Sequence, residues 1–245
     1  MPAGISACLF DLDGVLTQTE VVHAAAWQEM FDAFLRQHAT RTGQPFVPFD
    51  LVSDYGRYVD GKPRADGARS FLESRGIYLP EGSDDDDAGA GTVHALGNWK
   101  NTILLRKIAD EGALAYPGSV RFLRGVLAAG LGRAVVSASA NCRAVLIGAA
   151  LMDDFQVVVD AAVADSGKLR GKPAPDTYLA AASMLGVSPA AAAIFEDAQA
   201  GVAAGRAGGF GWVVGVDRIG QADALRREGA DVVVTDLSEL LLDGE

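Results

Sequence analysis

Hydrophobic positions follow two different patterns along this chain of 245 residues. Near the N-terminus, an apolar run of strand length, residues 5–10, ends at Asp11-Leu12-Asp13-Gly14. Beyond residue 17, apolar positions recur every three or four residues, which predicts an amphipathic helix with Thr19 as its N-cap. The residues that set this spacing are Trp27, Met30, Phe31, Phe34 and Leu35. The region up to about residue 113 keeps this helical character.

From residue 116 onward, short apolar segments alternate with helical ones. The predicted strands cover residues 133–136, 156–159, 192–195, 212–216 and 232–234. The predicted helices cover residues 120–129, 176–185, 199–206 and 222–228, with a further helix from about residue 141. Such alternation predicts an α/β fold with a parallel sheet and helices on both faces. The helical region then reads as an insertion after the first strand.

Composition and charge narrow the possible partners. The net charge is −11 and no cluster of Lys and Arg offsets it, which argues against nucleic acid or an anionic membrane as a partner. The two cysteines, Cys8 and Cys142, do not indicate a disulfide framework. The pattern of a signal peptide is absent from the sequence, and so is an apolar stretch of membrane-spanning length. We therefore expect a soluble, cytoplasmic protein.

Asp11 and Asp13 stand at the carboxyl end of the first predicted strand, where open α/β sheets bind their ligands. Side chains alternate along a strand, so both carboxylates leave it on the same side. Two carboxylates this close repel unless a cation lies between them or one of them holds a proton. This favours a catalytic or metal site. The alternative, a helix N-cap and a turn, explains Asp13-Gly14 but not Asp11.

Three further polar clusters follow predicted strands or loops of the core. A serine after a strand can donate to a phosphate oxygen or cap the next helix, and both interpretations stay open. A lone lysine is usually a surface residue, but here prolines stiffen its loop. The last cluster is a second acidic strand end. The clusters are Ser137-Ala138-Ser139, Lys172-Pro173-Ala174-Pro175 and Glu196-Asp197.

Together, the predicted sheet edge carries four acids. They are Asp11, Asp13, Glu196 and Asp197. Lys172 and one divalent cation would offset three of the four negative charges, and oxygen ligands favour Mg²⁺. A phosphate dianion could approach only with both cations present. This set of residues therefore suits phosphoryl transfer.

The order of these motifs resembles that of the haloacid-dehalogenase-like (HAD) superfamily, and within it the β-phosphoglucomutase branch. Besides the four motifs, the resemblance rests on FDLDGVLT, His23, Trp27, Gly61-Lys62-Pro63-Arg64, Asn141 and the run FEDAQAG at residues 195–201. It implies a Rossmann-like parallel sheet core with helices on both faces, residues 1–16 and 114–245. It also implies a small α-helical cap domain, residues 17–113, inserted after the first strand.

The resemblance implies a role for each matching core residue. Asp11 would be the nucleophile that becomes an aspartyl phosphate, and Asp13 the general acid and base. The cofactor would be Mg²⁺, bound by Asp11, the main-chain carbonyl of Asp13 and Asp197, with Glu196 close by. The residues implied in binding the transferring phosphoryl group are Ser137, Ala138 and Lys172.

The cap and the substrate residues also follow from the resemblance. Arg64 would grip the far phosphate of a sugar bisphosphate, as a bidentate guanidinium can. The other residues implied here are His23, Trp27, Ser139, Asn141 and Lys100. A partly buried helix histidine and a solvated helix face are the alternative interpretations of His23 and Lys100. Ala140 stands where the mutase pattern often has a lysine.

The implied function is Mg²⁺-dependent conversion of β-glucose 1-phosphate to glucose 6-phosphate through a bisphosphate. A sugar-phosphate phosphatase with the same residues is the first alternative, and Arg64 favours the mutase over it. A non-catalytic phospho-receiver or binding module is the second, although it would need neither the helical insertion nor an acid beside the nucleophile. The expected partner is a phosphorylated sugar, without nucleic acid or membrane, and the chain is expected to be a monomer or a weak dimer.

Overall fold

The computed structural model describes residues 1–111 and 114–241. Its sheet is built from β1 (Ala7–Phe10), β2 (Gly132–Val136), β3 (Val157–Val159), β4 (Ala192–Glu196), β5 (Trp212–Val216) and β6 (Val232–Val234). The six strands lie in the order β3-β2-β1-β4-β5-β6, and every neighbouring pair is parallel. The fold class predicted from the strand–helix alternation is confirmed.

Helices connect and precede these strands. They are α1 (Glu20–Thr42), α2 (Arg64–Ser74), α3 (Val93–Glu111), α4 (Pro117–Ala128), α5 (Cys142–Gly148), α6 (Ala161–Ser166), α7 (Asp176–Met184), α8 (Gln199–Ala207) and α9 (Ala222–Glu228). Thr19 occupies the N-cap position of α1, as predicted. The sequence did not predict α6, which has six residues and is too short to display a helical period. Within the described part of the chain, the helices are too short or too polar to cross a membrane.

Side chains of the central strands alternate between the two faces of the sheet, and both faces are buried. Leu9 and Ile194 point to one face, where they join a buried cluster with residues of α7 and α8. Phe10 and Phe195 point to the other face and contact Phe122 of α4, with ring centroids 6.2 Å and 5.1 Å away. A sheet buried on both faces needs near-continuous apolar strands, which is what β1 and β4 have.

The register of the central strands brings their carboxyl ends together. Phe10 pairs with Val135 on one side and with Phe195 on the other. The next residue, Asp11, extends this pairing, since its backbone N–H donates to the Phe195 carbonyl oxygen at 2.9 Å. Residues that directly follow β1, β2 and β4 therefore share one edge of the sheet.

Contacts divide the chain into two compact units. The first comprises Met1–Gln18, Gly61–Pro63 and Ala113–Glu245, and it contains the whole sheet. The second comprises Thr19–Asp60 and Arg64–Gly112, and it contains α1, α2 and α3. The assignment of residues 17–113 as a cap domain stays a prediction.

An aromatic cluster forms the core of the second unit. Phe31 is completely buried, and its ring centroid lies 5.1 Å from that of Trp27, 5.1 Å from Phe49 and 4.2 Å from Phe71. Trp27 and Phe31 belong to the helical spacing seen in the sequence. Their partners come from later segments, so Phe31 links α1 to α2 and to the loop between them.

Replacing Phe31 by alanine should destabilise the second unit by about 3–5 kcal/mol, because three rings lose their common neighbour. Urea unfolding followed by tryptophan fluorescence measures this, since Trp27 contacts the deleted ring. Val21→Ala on the same helix is the control, because Val21 is 64% exposed and its loss should change stability by less than about 0.5 kcal/mol. Equal losses in the two variants would contradict the assignment of this core.

Candidate active site

The turn after β1 carries the first acidic pair against a later strand end. Asp11 is buried, whereas Asp13 is half-buried. Gly14 adopts a left-handed conformation with φ +79°, and a Cβ there would lie 1.8 Å from Oδ2 of Asp197. Glycine is therefore required at this position for both conformation and space. This close approach places Asp197 beside the Asp13-Gly14 turn.

Glu196 is held from three sides at the end of β4. It is completely buried, and Oε1 accepts a hydrogen bond from the Tyr178 hydroxyl at 2.7 Å. Oε2 accepts one from the backbone N–H of Ala198 at 3.1 Å. A Cβ on Gly201 would lie 1.8 Å from Oε1, so α8 approaches the carboxylate closely. These contacts fix the orientation of the Glu196 side chain.

Lys172 joins the two strand ends. Its Nζ lies 2.5 Å from Oδ1 of Asp11 and 2.5 Å from Oε1 of Glu196, and it donates to the Val136 carbonyl oxygen at 3.1 Å. The ammonium also lies 5.0 Å from the centroid of the Tyr178 ring, a cation–π contact. The side chain is only 2% exposed. The lysine is therefore a buried counter-ion of the acids and not a surface residue.

Burial controls the protonation of this group. It raises the pKa of Asp11 well above its ordinary range; the Lys172 ammonium opposes the shift, and Glu196 and Asp13 add to it. Burial by itself would lower the pKa of Lys172, but the two carboxylates outweigh it and the pKa is raised, so the ammonium stays charged. One ammonium between two carboxylates leaves a negative charge. A proton on Asp11 or a further cation must balance it.

The residues present fit a divalent cation. Asp11, Glu196 and Asp197 each offer a carboxylate oxygen, and these oxygens all lie within 4.8 Å of one another. All three residues are buried, and an all-oxygen donor set is the one that Mg²⁺ prefers. Among the described residues, the carboxylate of Asp13 does not belong to this cluster. The resemblance implied a different ligand atom for Asp13, its main-chain carbonyl oxygen.

The loop after β2 lines a small cavity beside Lys172. Ser137 is buried, and its hydroxyl accepts a hydrogen bond from the Ser139 N–H at 3.1 Å. In turn, the Ser139 hydroxyl accepts one from the Asn141 N–H at 3.1 Å. Asn141, not Ser139, occupies the N-cap position of α5. Ser137, Ala138 and Lys172 are among the residues that line the cavity, whose volume is about 50 Å³.

The predicted cap residues lie in the second unit. Three of them form one group: Lys100 Nζ lies 3.1 Å from Nδ1 of His23 and 5.2 Å from the centroid of the Trp27 ring. Lys100 is 4% exposed, so its interpretation as part of a solvated helix face is wrong. Arg64 begins α2 and packs against Gly97 of α3, and burial lowers the pKa of its guanidinium while Asp84 opposes the shift.

Sequence reasoning missed Tyr178, which contacts both Glu196 and Lys172. Burial raises the pKa of this phenol well above its ordinary value, and the negative charge of Glu196 adds to the shift. The hydroxyl therefore stays protonated and can donate. A signal was present: a tyrosine on the core-facing side of the alanine-rich α7 needs a partner for its hydroxyl.

Sequence and structure comparisons agree with this geometry. Residues 5–209 match the family described as haloacid dehalogenase-like hydrolase. The chain is 57% identical over 244 residues to β-phosphoglucomutase of Mycobacterium bovis and, equally, to that of Mycobacterium tuberculosis; each alignment covers 98% of this chain and 93% of the relative. A crystal structure of β-phosphoglucomutase from Clostridium difficile has 26% identity and a TM-score of 0.74, over 98% of this chain and 94% of that one.

The chain belongs to the haloacid dehalogenase-like hydrolase family. This confirms the resemblance drawn from the four motifs. The family and the relatives identify the protein as an enzyme, either a phosphotransferase or a phosphatase. The interpretation as a non-catalytic binding module is thereby set aside.

Replacing Tyr178 by phenylalanine should lower the free energy of unfolding by about 1–3 kcal/mol, because buried Glu196 loses a hydrogen-bond donor. Urea unfolding in metal-free buffer measures the change. Tyr78→Phe is the matched control, since Tyr78 is 77% exposed and its hydroxyl lies at the surface. If both variants lose the same stability, the Tyr178 hydroxyl does not support Glu196.

Proposed function

We propose that the chain is a Mg²⁺-dependent β-phosphoglucomutase, which converts β-glucose 1-phosphate to glucose 6-phosphate through a bisphosphate. The identity of 57% with mycobacterial β-phosphoglucomutases, over nearly the whole of both chains, carries the proposal. The buried group of Asp11, Lys172, Glu196 and Asp197 supports it, because such a group can bind and transfer a phosphoryl group.

Asp11 acts as the nucleophile in this proposal. One of its carboxylate oxygens attacks phosphorus, while the bond from phosphorus to the sugar oxygen breaks. Lys172, already in contact with Asp11, and Ser137 bind the phosphoryl oxygens, together with the backbone of Ala138. The buried ammonium stabilises negative charge on the transferring group without having to move.

Asp13 acts as the general acid and base. It gives a proton to the departing sugar oxygen and later takes one from the hydroxyl that attacks the aspartyl phosphate. Its proximity to Asp11 supports this role, since the negative charge of Asp13 contributes to the raised pKa of the Asp11 carboxyl group. Asp13 is also half-buried, unlike Asp11, so it retains access to an incoming hydroxyl group.

Asp11, the Asp13 carbonyl and Asp197 would hold Mg²⁺, with Glu196 near it. When bound, the ion supplies positive charge that offsets the acids and lets a phosphate dianion approach. The fit rests on the convergence of three carboxylate oxygens and on the charge left unbalanced by Lys172. Glu196 is also engaged by Lys172, which supports a place for it beside the ion's direct ligands.

Residues 17–113 act as a cap in this proposal and exclude water from the aspartyl phosphate. Arg64 binds the far phosphate of the bisphosphate, with help from Ser139 and Asn141. The contact of His23 and Trp27 with buried Lys100 supports a common role for these three as one supporting group of the cap. Ala140 leaves Arg64 as the main cation for the far phosphate.

A sugar-phosphate phosphatase is the second candidate. It would use the same nucleophile and the same acid and base, with water as the final acceptor. Two observations favour the phosphatase. The family is described as hydrolases, and Ala140 stands where mutases often have a lysine.

A product assay separates the two candidates. With β-glucose 1-phosphate, Mg²⁺ and a trace of glucose 1,6-bisphosphate, the expected product is glucose 6-phosphate, identified by phosphorus NMR. Free glucose with inorganic phosphate would instead identify the phosphatase.

Asp11→Asn should reduce turnover at least about 10³-fold, because it removes the nucleophile. Asp85→Asn, at an exposed position, should have no effect, and turnover retained by Asp11→Asn would refute the proposed nucleophile.

Magnesium should raise the unfolding temperature of the metal-free protein, because a ligand of the folded state stabilises it. At a hundred times the dissociation constant the gain is about 2.7 kcal/mol. Asp197→Asn should lose most of this gain, whereas Asp85→Asn should keep it. Calorimetric scans with and without Mg²⁺ measure the difference. An undiminished gain in Asp197→Asn would exclude Asp197 as a ligand.

A further inference from the structure

Arg218 is tied to the turn that follows Asp13. It lies two residues beyond β5, and its side chain is 10% exposed. Nε donates to the Gly14 carbonyl oxygen at 2.7 Å, and Nη1 donates to the Thr235 carbonyl oxygen at 2.7 Å. The guanidinium carbon lies 3.5 Å from the centroid of the Tyr116 ring. This side chain therefore joins three separate segments of the first unit.

The Gly14 carbonyl belongs to the residue next to Asp13, so holding it restrains the acid. The turn is already tight, because the Gly14 N–H donates to the Thr17 carbonyl oxygen at 2.8 Å. The ring beneath the guanidinium is fixed to the same turn, since the Tyr116 N–H donates to the Leu16 carbonyl oxygen at 2.9 Å. Hydrogen bond and stacking together restrain the backbone that follows Asp13.

Asp11 does not depend on this anchor. Its backbone N–H donates to the Phe195 carbonyl oxygen within the sheet, at 2.9 Å. Its carboxylate receives the Lys172 ammonium at 2.5 Å. A looser turn after Asp13 would therefore leave the nucleophile in place and displace Asp13, both its carboxyl group and the main-chain carbonyl proposed to bind Mg²⁺.

We propose that Arg218 is a positioning residue for Asp13, holding the turn so that the carboxyl group reaches the departing sugar oxygen. The inference rests on the proposed acid–base role of Asp13. In that step an Asp11 oxygen forms a bond to phosphorus, and the bond from phosphorus to the sugar oxygen breaks. The electron pair goes to the sugar oxygen, which takes the proton of Asp13. A leaving group that is stable as an anion needs no such proton.

Lysine cannot reproduce these contacts. Arg218→Lys keeps a positive charge near Asp236, whose Oδ2 lies 3.9 Å from Nη1. It cannot donate to the Gly14 and Thr235 carbonyls in the same fork or stack a plane on the ring. Tyr116→Leu removes the ring and leaves the hydrogen bonds of Arg218 possible. It should therefore have the same kind of effect with a smaller size.

The test compares two phosphoryl donors in single-turnover phosphorylation of Asp11. β-Glucose 1,6-bisphosphate must have its leaving sugar oxygen protonated when it phosphorylates Asp11, whereas 4-nitrophenyl phosphate releases a stable, coloured anion. Arg218→Lys should slow the reaction of the sugar phosphate by about ten- to a hundredfold, as expected for a displaced reacting group. With both reactions run at saturating Mg²⁺, the reaction of the nitrophenyl ester should slow less than about threefold, because it does not use general acid catalysis.

Reference variants separate this inference from the proposed function. Asp13→Asn should slow the reaction of the sugar phosphate much more than that of the nitrophenyl ester. Equal losses on the two donors in Asp13→Asn would refute the acid–base role and the inference with it. Arg226→Lys should change neither rate, since Arg226 pairs with Asp223 on the surface of α9. If Arg218→Lys does not fold, Tyr116→Leu provides the comparison. If Asp13→Asn is selective but Arg218→Lys loses the same rate on both donors, or loses none, the inference about Arg218 is refuted while the proposed role of Asp13 stands.

Discussion

One buried ammonium holds the site together. Lys172 lies between the carboxylates of Asp11 and Glu196, and a third acid, Asp197, lies within reach of the same point. A charge group of this kind is costly to bury unless every member is paired. The sheet provides for this by bringing the ends of β1 and β4 side by side, while Tyr178 supplies the last donor to Glu196. The fit of the three carboxylates to Mg²⁺ follows from that arrangement.

Much of the first unit could be predicted because its local signals agree. Each motif follows an apolar run, and parallel strands that are buried on both faces leave few choices for where those runs end. The sequence thus placed Asp11, Ser137 and Glu196 at one edge of the sheet, and the strand register accounts for that position. The burial of Lys172 could not be predicted, because the residues that bury it come from distant segments of the chain.

The contacts that escaped prediction join distant segments of the chain and have no local pattern. Arg218 meets Gly14 across 204 positions of the chain, and nothing around it in the sequence indicates a partner. Lys100 lies 77 positions from His23, which is why a solvated helix face was an equally good interpretation. In the second unit, the period of α1 revealed Phe31 as a core residue, but not Phe49 and Phe71, its neighbours from other segments.

Two glycines limit how this site can be altered. A methyl group at Gly14 would occupy the space of the Asp197 carboxylate, and one at Gly201 that of the Glu196 carboxylate. Substitutions at either position would displace the carboxylates of the site, whatever their effect on substrate preference. A library intended to change sugar preference should therefore hold both codons constant. The smallest side chains in the site are the least replaceable for an engineer.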